Sequence, residues 1–189
     1  MDNSKPSDKT MEPTMNPAHE LKTALDACEN IVTSLAKEAK LLADSASEHH
    51  ALLKKIDISD PLQLARMTTL LTISACGNER RKYRHGENVT AQTALIAACS
   101  KFAKEDLVPR GRELEVRVRA KVEQKLKPHF GDGDALRSAA NHSIELSALA
   151  PILNSAVIQD YSADGAIKQA KRLIEAWSAA DAFETRFLG

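Results

Sequence analysis

The sequence predicts an all-α protein, a bundle of six or seven helices built on a long N-terminal helix with a heptad pattern. Its 189 residues include 29 Ala and 21 Leu, which are among the strongest helix formers. Seven Gly and seven Pro provide too few turns for a many-stranded sheet. Apolar residues also recur at helical spacing along most of the chain, which favours helices over strands.

The first predicted segment is a disordered tail over residues 1–17. Its sequence, MDNSKPSDKTMEPTMNP, has three Pro among polar residues and no apolar stretch that could serve as a signal peptide. The longest uncharged runs in the chain are shorter than the roughly 18 residues that a membrane span requires. The three Cys form no CxxC pair, and we interpret all three as reduced thiols in the core. We therefore expect a cytoplasmic protein with no membrane partner.

The second predicted segment is a long amphipathic helix over 18–58. Pro17 suits the first turn of a helix, and no further Pro or Gly follows until Pro61. Apolar or small side chains recur at alternating spacings of four and three residues, a pattern typical of knobs-into-holes packing. The apolar stripe is too wide for a two-stranded zipper, so we expect a bundle of three or more helices. The predicted self-association seam comprises Leu21, Leu25, Val32, Leu35, Leu42, Leu53 and Ile56.

The length of this helix indicates contact with another chain. About forty residues extend roughly 60 Å at 1.5 Å each, whereas a compact globule of this chain length has a diameter of about 42 Å. Every Leu left exposed on the excess length forgoes about 2 kcal/mol of burial. We therefore expect a homo-oligomer whose contact is made by the first helix.

The remaining segment, 59–189, is predicted to be a helical bundle domain. Asp60 can cap a second helix that starts at Pro61 and runs to about residue 76 or beyond. Apolar residues are distributed nearly all round it, which predicts burial. We expect this helix to end at Gly77, or to fray through the following basic residues to Gly86.

A third helix is expected from Asn88 or Thr90 to about residue 106, followed by a turn over 108–111. Residues 112–127 are ambiguous, because their apolar side chains alternate as in a strand and also recur every fourth residue. With no partner strand elsewhere, a lone strand would leave its backbone amides unpaired, so helix is preferred.

Three further helices complete the predicted bundle. Asp134 caps one that runs to about Leu149, and Pro151 kinks or restarts the next. The last helix opens at Ser162 or Asp164 and carries Trp177, Phe183 and Phe187, which we interpret as an anchor for that helix. An exposed docking stripe for a partner is the alternative interpretation.

Charge is distributed unevenly along a chain whose formal net charge is zero. Residues 77–129 hold 13 basic and 7 acidic side chains, while both flanking regions are net negative. The basic segment could bind nucleic acid or another polyanion, or it could be a solvated face whose charges meet acidic groups of the protein itself. The candidate polyanion-binding residues are Arg80, Arg81, Lys82, Arg84, Arg110, Arg112, Arg117 and Arg119.

We find no motif that predicts catalysis, a metal ion or a cofactor. There is no Gly-rich phosphate loop and no GxSxG, and no Glu-x-x-His pair of the bundle di-metal type. His49 and His50 are consecutive, so on a helix their side chains point about 100° apart. His49 lies on the seam as a core histidine or as a pH-sensitive contact.

These features predict a non-enzymatic assembly or adaptor protein that self-associates through its N-terminal heptad helix. The alternative is nucleic-acid binding through the basic segment 80–127. The sequence leaves open whether that segment meets a nucleic acid or an acidic protein surface.

Overall fold

The computed structural model describes residues 16–157 and 162–189, and within these ranges the chain is 88% helical with no strand. The all-α prediction is therefore confirmed. Five helices have eight residues or more in the described ranges, so the predicted count of six or seven is wrong. The helical segments are α1 (Pro17–Leu53), α2 (Pro61–Lys101), α3 (Val108–Phe130), α4 (Asp134–Asn141), the single turns α5 (Ile144–Ser147) and α6 (Ala150–Asn154), and α7 (Ala163–Leu188). The predicted disordered tail, apart from its last two residues, lies outside the described ranges.

Helices α1 and α2 form a long antiparallel hairpin. The side chain of Asn16 accepts a hydrogen bond from the Ala18 amide at 3.0 Å, and Pro17 begins α1. The carboxylate of Asp60 accepts from the Leu62 amide at 2.9 Å, as its position before Pro61 predicts. At 37 residues, α1 is about 55 Å long.

The chain from Pro61 to Phe130 is helical without a break, because a π-helical segment over Phe102–Leu107 joins α2 to α3. The predicted helix end at Gly77 or Gly86, the separate third helix and the turn over 108–111 are therefore wrong. A Gly inside a helix costs only about 1 kcal/mol relative to Ala, which the rest of α2 outweighs. Pro109 follows directly on the wide π turns, a position where the missing amide and the ring are accommodated.

Residues 112–127 are helical, which confirms the choice of helix over strand. The side chains that recur every fourth residue, Leu114, Val118 and Val122, are buried, whereas Val116 is exposed. Ser162 caps the last helix through a hydrogen bond from the Gly165 amide at 3.0 Å. In that helix Trp177 packs against Phe102, with ring centroids 5.4 Å apart, as expected of an anchor.

Buried side chains are confined to one end of the hairpin. We call this end the body: it contains Leu21, Leu25 and Cys28 of α1, Leu95 and Cys99 of α2, the π segment, and α3 to α7. Residues 29–94, which we call the arm, include no buried side chain. The prediction that α2 is buried is wrong, because its start lies in the arm, and Leu62, Leu64, Leu71 and Ile73 are exposed.

Gly111→Ala and Gly86→Ala form a matched pair that tests the packing of the body. Ala is favoured over Gly inside a helix by about 0.5–1 kcal/mol. At Gly86 a Cβ would meet nothing within 4 Å, so the free energy of unfolding should rise by about that amount. At Gly111 the Cβ would overlap with Leu153 Cδ2, and overpacking of about 1–3 kcal/mol should outweigh the gain. Urea unfolding followed by circular dichroism should give opposite shifts, and stabilisation by both changes would contradict the close approach of α6 to α3.

Candidate interaction surface

Part of the predicted self-association seam lies beside α2 of the same chain. Leu21 and Leu25 are buried in the body. The other five members, Val32, Leu35, Leu42, Leu53 and Ile56, are half-buried. Leu42 lies beside Gly77 of α2, with its Cδ2 atom 3.7 Å from the position of a Cβ there. The seam therefore contributes to the packing of α1 against α2, and its half-buried members remain partly exposed to solvent.

Two joined grooves run between α1 and α2 along the arm. The distal groove, about 250 Å³, is lined by Leu53, His49, Leu70 and Leu71 among others. The proximal groove, about 380 Å³, is lined by Leu35, Ala39, Ala43, His85 and Asn88 among others. The two grooves share Leu42, Ala46 and Arg81.

The proximal groove contains an unusual polar atom. The Oδ1 atom of Asn88 is buried, and no donor in the described part of the chain reaches it. An unpaired buried acceptor of this kind costs about 1–3 kcal/mol. Asn88 therefore marks the groove as a place where the hairpin is incompletely packed.

Large apolar side chains are exposed on both flanks of the arm. Sequence reasoning missed four of them, Leu62, Leu64, Leu71 and Ile73, because the all-round apolar pattern at the start of α2 indicates burial. The signal that could have indicated exposure is the length of the uninterrupted helix, which exceeds what the remaining chain can cover. The exposed set in and around the arm is Leu41, Leu52, Ile58, Leu62, Leu64, Leu71, Ile73, Tyr83 and Val89.

An ion-pair cluster clamps the middle of the arm. The guanidinium of Arg84 donates to Glu38 Oε1 at 3.1 Å, to Ser34 Oγ at 2.8 Å and to Glu87. Arg80 lies farther away, 3.6 Å from the same Glu38 oxygen. The hydrogen bond from Arg84 lowers the pKa of Glu38, and the charges of Arg84 and Arg80 act in the same direction. The clamp ties α1 to α2 at a level where neither helix has a buried residue.

The second group of candidate basic residues lies on α3, where acidic groups of the same chain meet it. Arg110 pairs with Asp181 and with Glu184 of α7, and its guanidinium lies 4.3 Å from the centre of the Trp177 ring. Arg117 also pairs with Glu184, and Arg119 donates to Glu115 at 3.3 Å and to Asn141 at 2.6 Å. The hydrogen bonds from Arg117 and Arg110 lower the pKa of Glu184.

The candidate basic residues do not form one continuous patch. Arg84 and Arg110 are 26 positions apart on one helical path, or roughly 40 Å. Lys82 pairs with Glu79 at 2.8 Å. Of the eight candidates, only Arg81 and Arg112 have no ion pair within the described residues.

The thiols and histidines provide no metal centre in the described part of the chain, where no group of three His, Cys, Asp or Glu side chains is placed to hold an ion. Cys28 and Cys99 are buried, and burial raises the pKa of the Cys99 thiol to about 11. Cys76 is exposed on the arm, so the prediction that all three thiols lie in the core is wrong for it.

Comparisons with known families, with curated proteins and with solved structures each find no match for this chain. None of the helices described here is both long and apolar enough to cross a lipid bilayer.

Glu38→Gln tests the electrostatic clamp through its pH dependence. Because the folded pKa of Glu38 is lowered, the clamp stabilises the arm fully above the unfolded value of 4.5 and is lost as the pH falls through the folded value. Amide hydrogen exchange of the arm should therefore accelerate in the wild type below about pH 4.5, beyond the change common to all variants. Glu38→Gln should lack this additional acceleration.

Glu48→Gln, which changes an exposed carboxylate of the same helix, is the control and should retain the wild-type pH dependence. Identical pH profiles for Glu38→Gln and Glu48→Gln would contradict a stabilising role for the Glu38 clamp.

Proposed function

We propose that this protein is a non-enzymatic assembly or adaptor protein that self-associates through its helical arm. The arm spans residues 29–94, contains no buried side chain and displays several exposed leucines. A helical layer with apolar residues on its open faces is stable when further helices cover them. The proposal depends on one observation, which is that the arm has exposed leucines and no buried side chain.

The proposed contact differs from the one that the sequence alone suggests. Leu35, Leu42 and Leu53 of the predicted seam lie beside α2, so a second chain would meet the flanks of the hairpin, where both helices contribute. Leu52 of α1 and Leu62 and Leu71 of α2 are among the exposed side chains available there. Burying each would contribute about 2 kcal/mol to association.

The composition of the grooves also favours a helix as their occupant. Leu, Ala and Ile form about half of the lining, and polar or charged side chains form most of the rest. A groove between two helices, lined in this way, suits the apolar face of an amphipathic helix.

The unpaired thiols are compatible with a reducing compartment, and we place the protein in the cytoplasm on that ground.

Polyanion binding has weaker support. Six of the eight candidate cations have a carboxylate of the same chain as neighbour, which reduces the positive charge available to a phosphate backbone. This distribution matches the alternative in which the basic segment meets acidic groups of the protein itself.

Light scattering at increasing protein concentration tests self-association, and Leu52→Lys/Leu62→Lys/Leu71→Lys tests whether the arm carries it. We expect the wild type to have a mass of at least twice 20.6 kDa. The triple variant should dissociate at concentrations at least about 100-fold higher than the wild type, because it loses several kcal/mol of apolar burial.

Val116→Lys/Phe130→Lys/Ile144→Lys is the matched control, because these body residues are 68%, 48% and 83% exposed, against 53%, 62% and 57% for the three arm residues. The control should keep the wild-type mass. A wild type that stays monomeric at all concentrations would reject the proposed function, and equal effects of the two triple variants would reject the arm as its site.

A gel-shift assay at low salt tests the alternative function. We expect neither duplex DNA nor single-stranded RNA to shift, and the ratio of absorbance at 260 to 280 nm to remain that of protein across a salt series. A shift that fades with salt and is lost in Arg80→Ala/Arg81→Ala/Arg84→Ala would establish polyanion binding instead.

A further inference from the structure

One flank of the hairpin is already covered at its base by a third helix. Lys171 of α7 pairs with Glu29 of α1 at 2.7 Å. On the other helix of the hairpin, the Cys99 thiol of α2 lies 4.0 Å from the Ala166 carbonyl oxygen of α7. Glu29 and Cys99 thus mark the flank against which α7 packs.

The same flank continues along the arm, where none of the described residues outside the hairpin covers it. Positions seven residues apart lie nearly on one line along a helix in a bundle. Counting in sevens from Glu29 passes Ala36, which lines neither groove, and then leads to Ala43 and His50, which line the open grooves. Counting back from Cys99 passes Gln92, which lines neither groove, and then leads to His85, Asn78 and Leu71, which also line them, and to the exposed Leu64. Where α7 is absent, the flank is therefore open to solvent.

We propose that this flank is covered by the same flank of a second copy of the chain, with the two arms antiparallel. The inference rests on the proposed self-association and specifies its geometry. It makes the arm pair a four-helix bundle in which each copy provides two helices.

The size of the flank is sufficient for a stable pair. Residues 64–88 of α2 extend over about 37 Å, and two packed helices are about 20 Å wide. Their product is roughly 750 Å² per copy, close to the about 800 Å² that each partner buries in a specific interface.

The flank is complementary to itself in the antiparallel arrangement. Small side chains, Ala39, Ala43 and Ala46, line the part of the groove nearer the body. Large exposed side chains, Leu64 and Leu71, lie toward the tip. Because Leu42 lies beside Gly77, Ala39 and Ala46 lie at the levels of residues 80 and 73 of α2. A two-fold axis near the level of Thr72 would place Leu64 and Leu71 of one copy over Ala39 and Ala46 of the other, in both directions at once.

Steric constraints exclude the parallel arrangement. In a parallel pair the two α7 helices would occupy the same place between the hairpins and hold the arms apart. In an antiparallel pair each α7 lies beyond the tip of the partner's arm. Residues 1–15 are a poor alternative cover, because Met is their only large apolar residue type.

Spin labels attached to single cysteines test the geometry in the full-length protein. The wild type provides one site, since Cys76 is exposed whereas Cys28 and Cys99 are buried. Cys76→Ser/Ile58→Cys moves the label to the exposed loop at the tip of the arm. The antiparallel pair predicts a short distance between the two Cys76 labels, about 20–25 Å, and about 40–45 Å between the two tip labels, from 1.5 Å per residue.

Short distances at both sites would show a parallel pair and overturn the inference, although self-association would stand. Long or undefined distances at both sites in a protein of doubled mass would place the interface elsewhere and also overturn it. A monomeric mass would reject the proposed function together with the inference.

Ala43→Glu and Ala51→Glu supply a second, matched test on α1. Both positions are exposed, but Ala43 lines the groove and Ala51 does not. The two-fold axis would bury a charge twice in Ala43→Glu, so the dissociation constant should rise at least about tenfold, while Ala51→Glu should leave it unchanged. Equal dissociation constants for two variants of wild-type helicity would overturn the inference.

Discussion

Two helices that pack only against each other leave part of their apolar surface exposed to solvent. This constraint explains the difference between the body and the arm. Where α1 and α2 enter the body, α7 and the π segment supply the missing neighbours, and Leu21, Leu25, Leu95 and Cys99 are buried. Beyond that point the same two helices continue with no third element from the described part of the chain, and no side chain between residues 29 and 94 is buried. The difference between body and arm is thus a difference in the number of helices that meet.

Electrostatic and polar contacts hold the arm where apolar packing is thin. Glu38 accepts from Arg84 across the hairpin, and Arg84 also reaches Ser34 and Glu87. Such contacts fix the register of two helices, but a partly exposed cluster adds little free energy compared with a packed core. The clamp therefore explains how the hairpin is aligned and leaves the apolar flanks as the surface that a second chain would cover.

Two wrong predictions have the same cause, because in both cases tertiary packing overrides a local sequence signal. Pro109 and Gly111 predict a turn, yet the π segment accommodates the proline and the close approach of Leu153 favours the glycine inside a helix. Gly77 and Gly86 likewise predict helix ends, but the pairing of α2 with α1 continues past both. The basic run that follows Gly77 predicts a polyanion site, and two of its members, Arg80 and Arg84, lie beside Glu38 across the hairpin.

The sequence by itself determined the helical class, the start of α1 at Pro17, the cap at Asp60 and the buried fourth-residue spacing of α3, because these depend on local backbone chemistry and on periodicity. Which side of each helix is covered was decided only by the tertiary structure. Leu71 of the arm and Leu173 of the body are both leucines on long helices, yet one is exposed and the other buried. Burial depends on which helices from distant parts of the chain pack against a given face. A periodic pattern predicts an apolar face, but it does not indicate whether the helix that covers this face belongs to the same molecule.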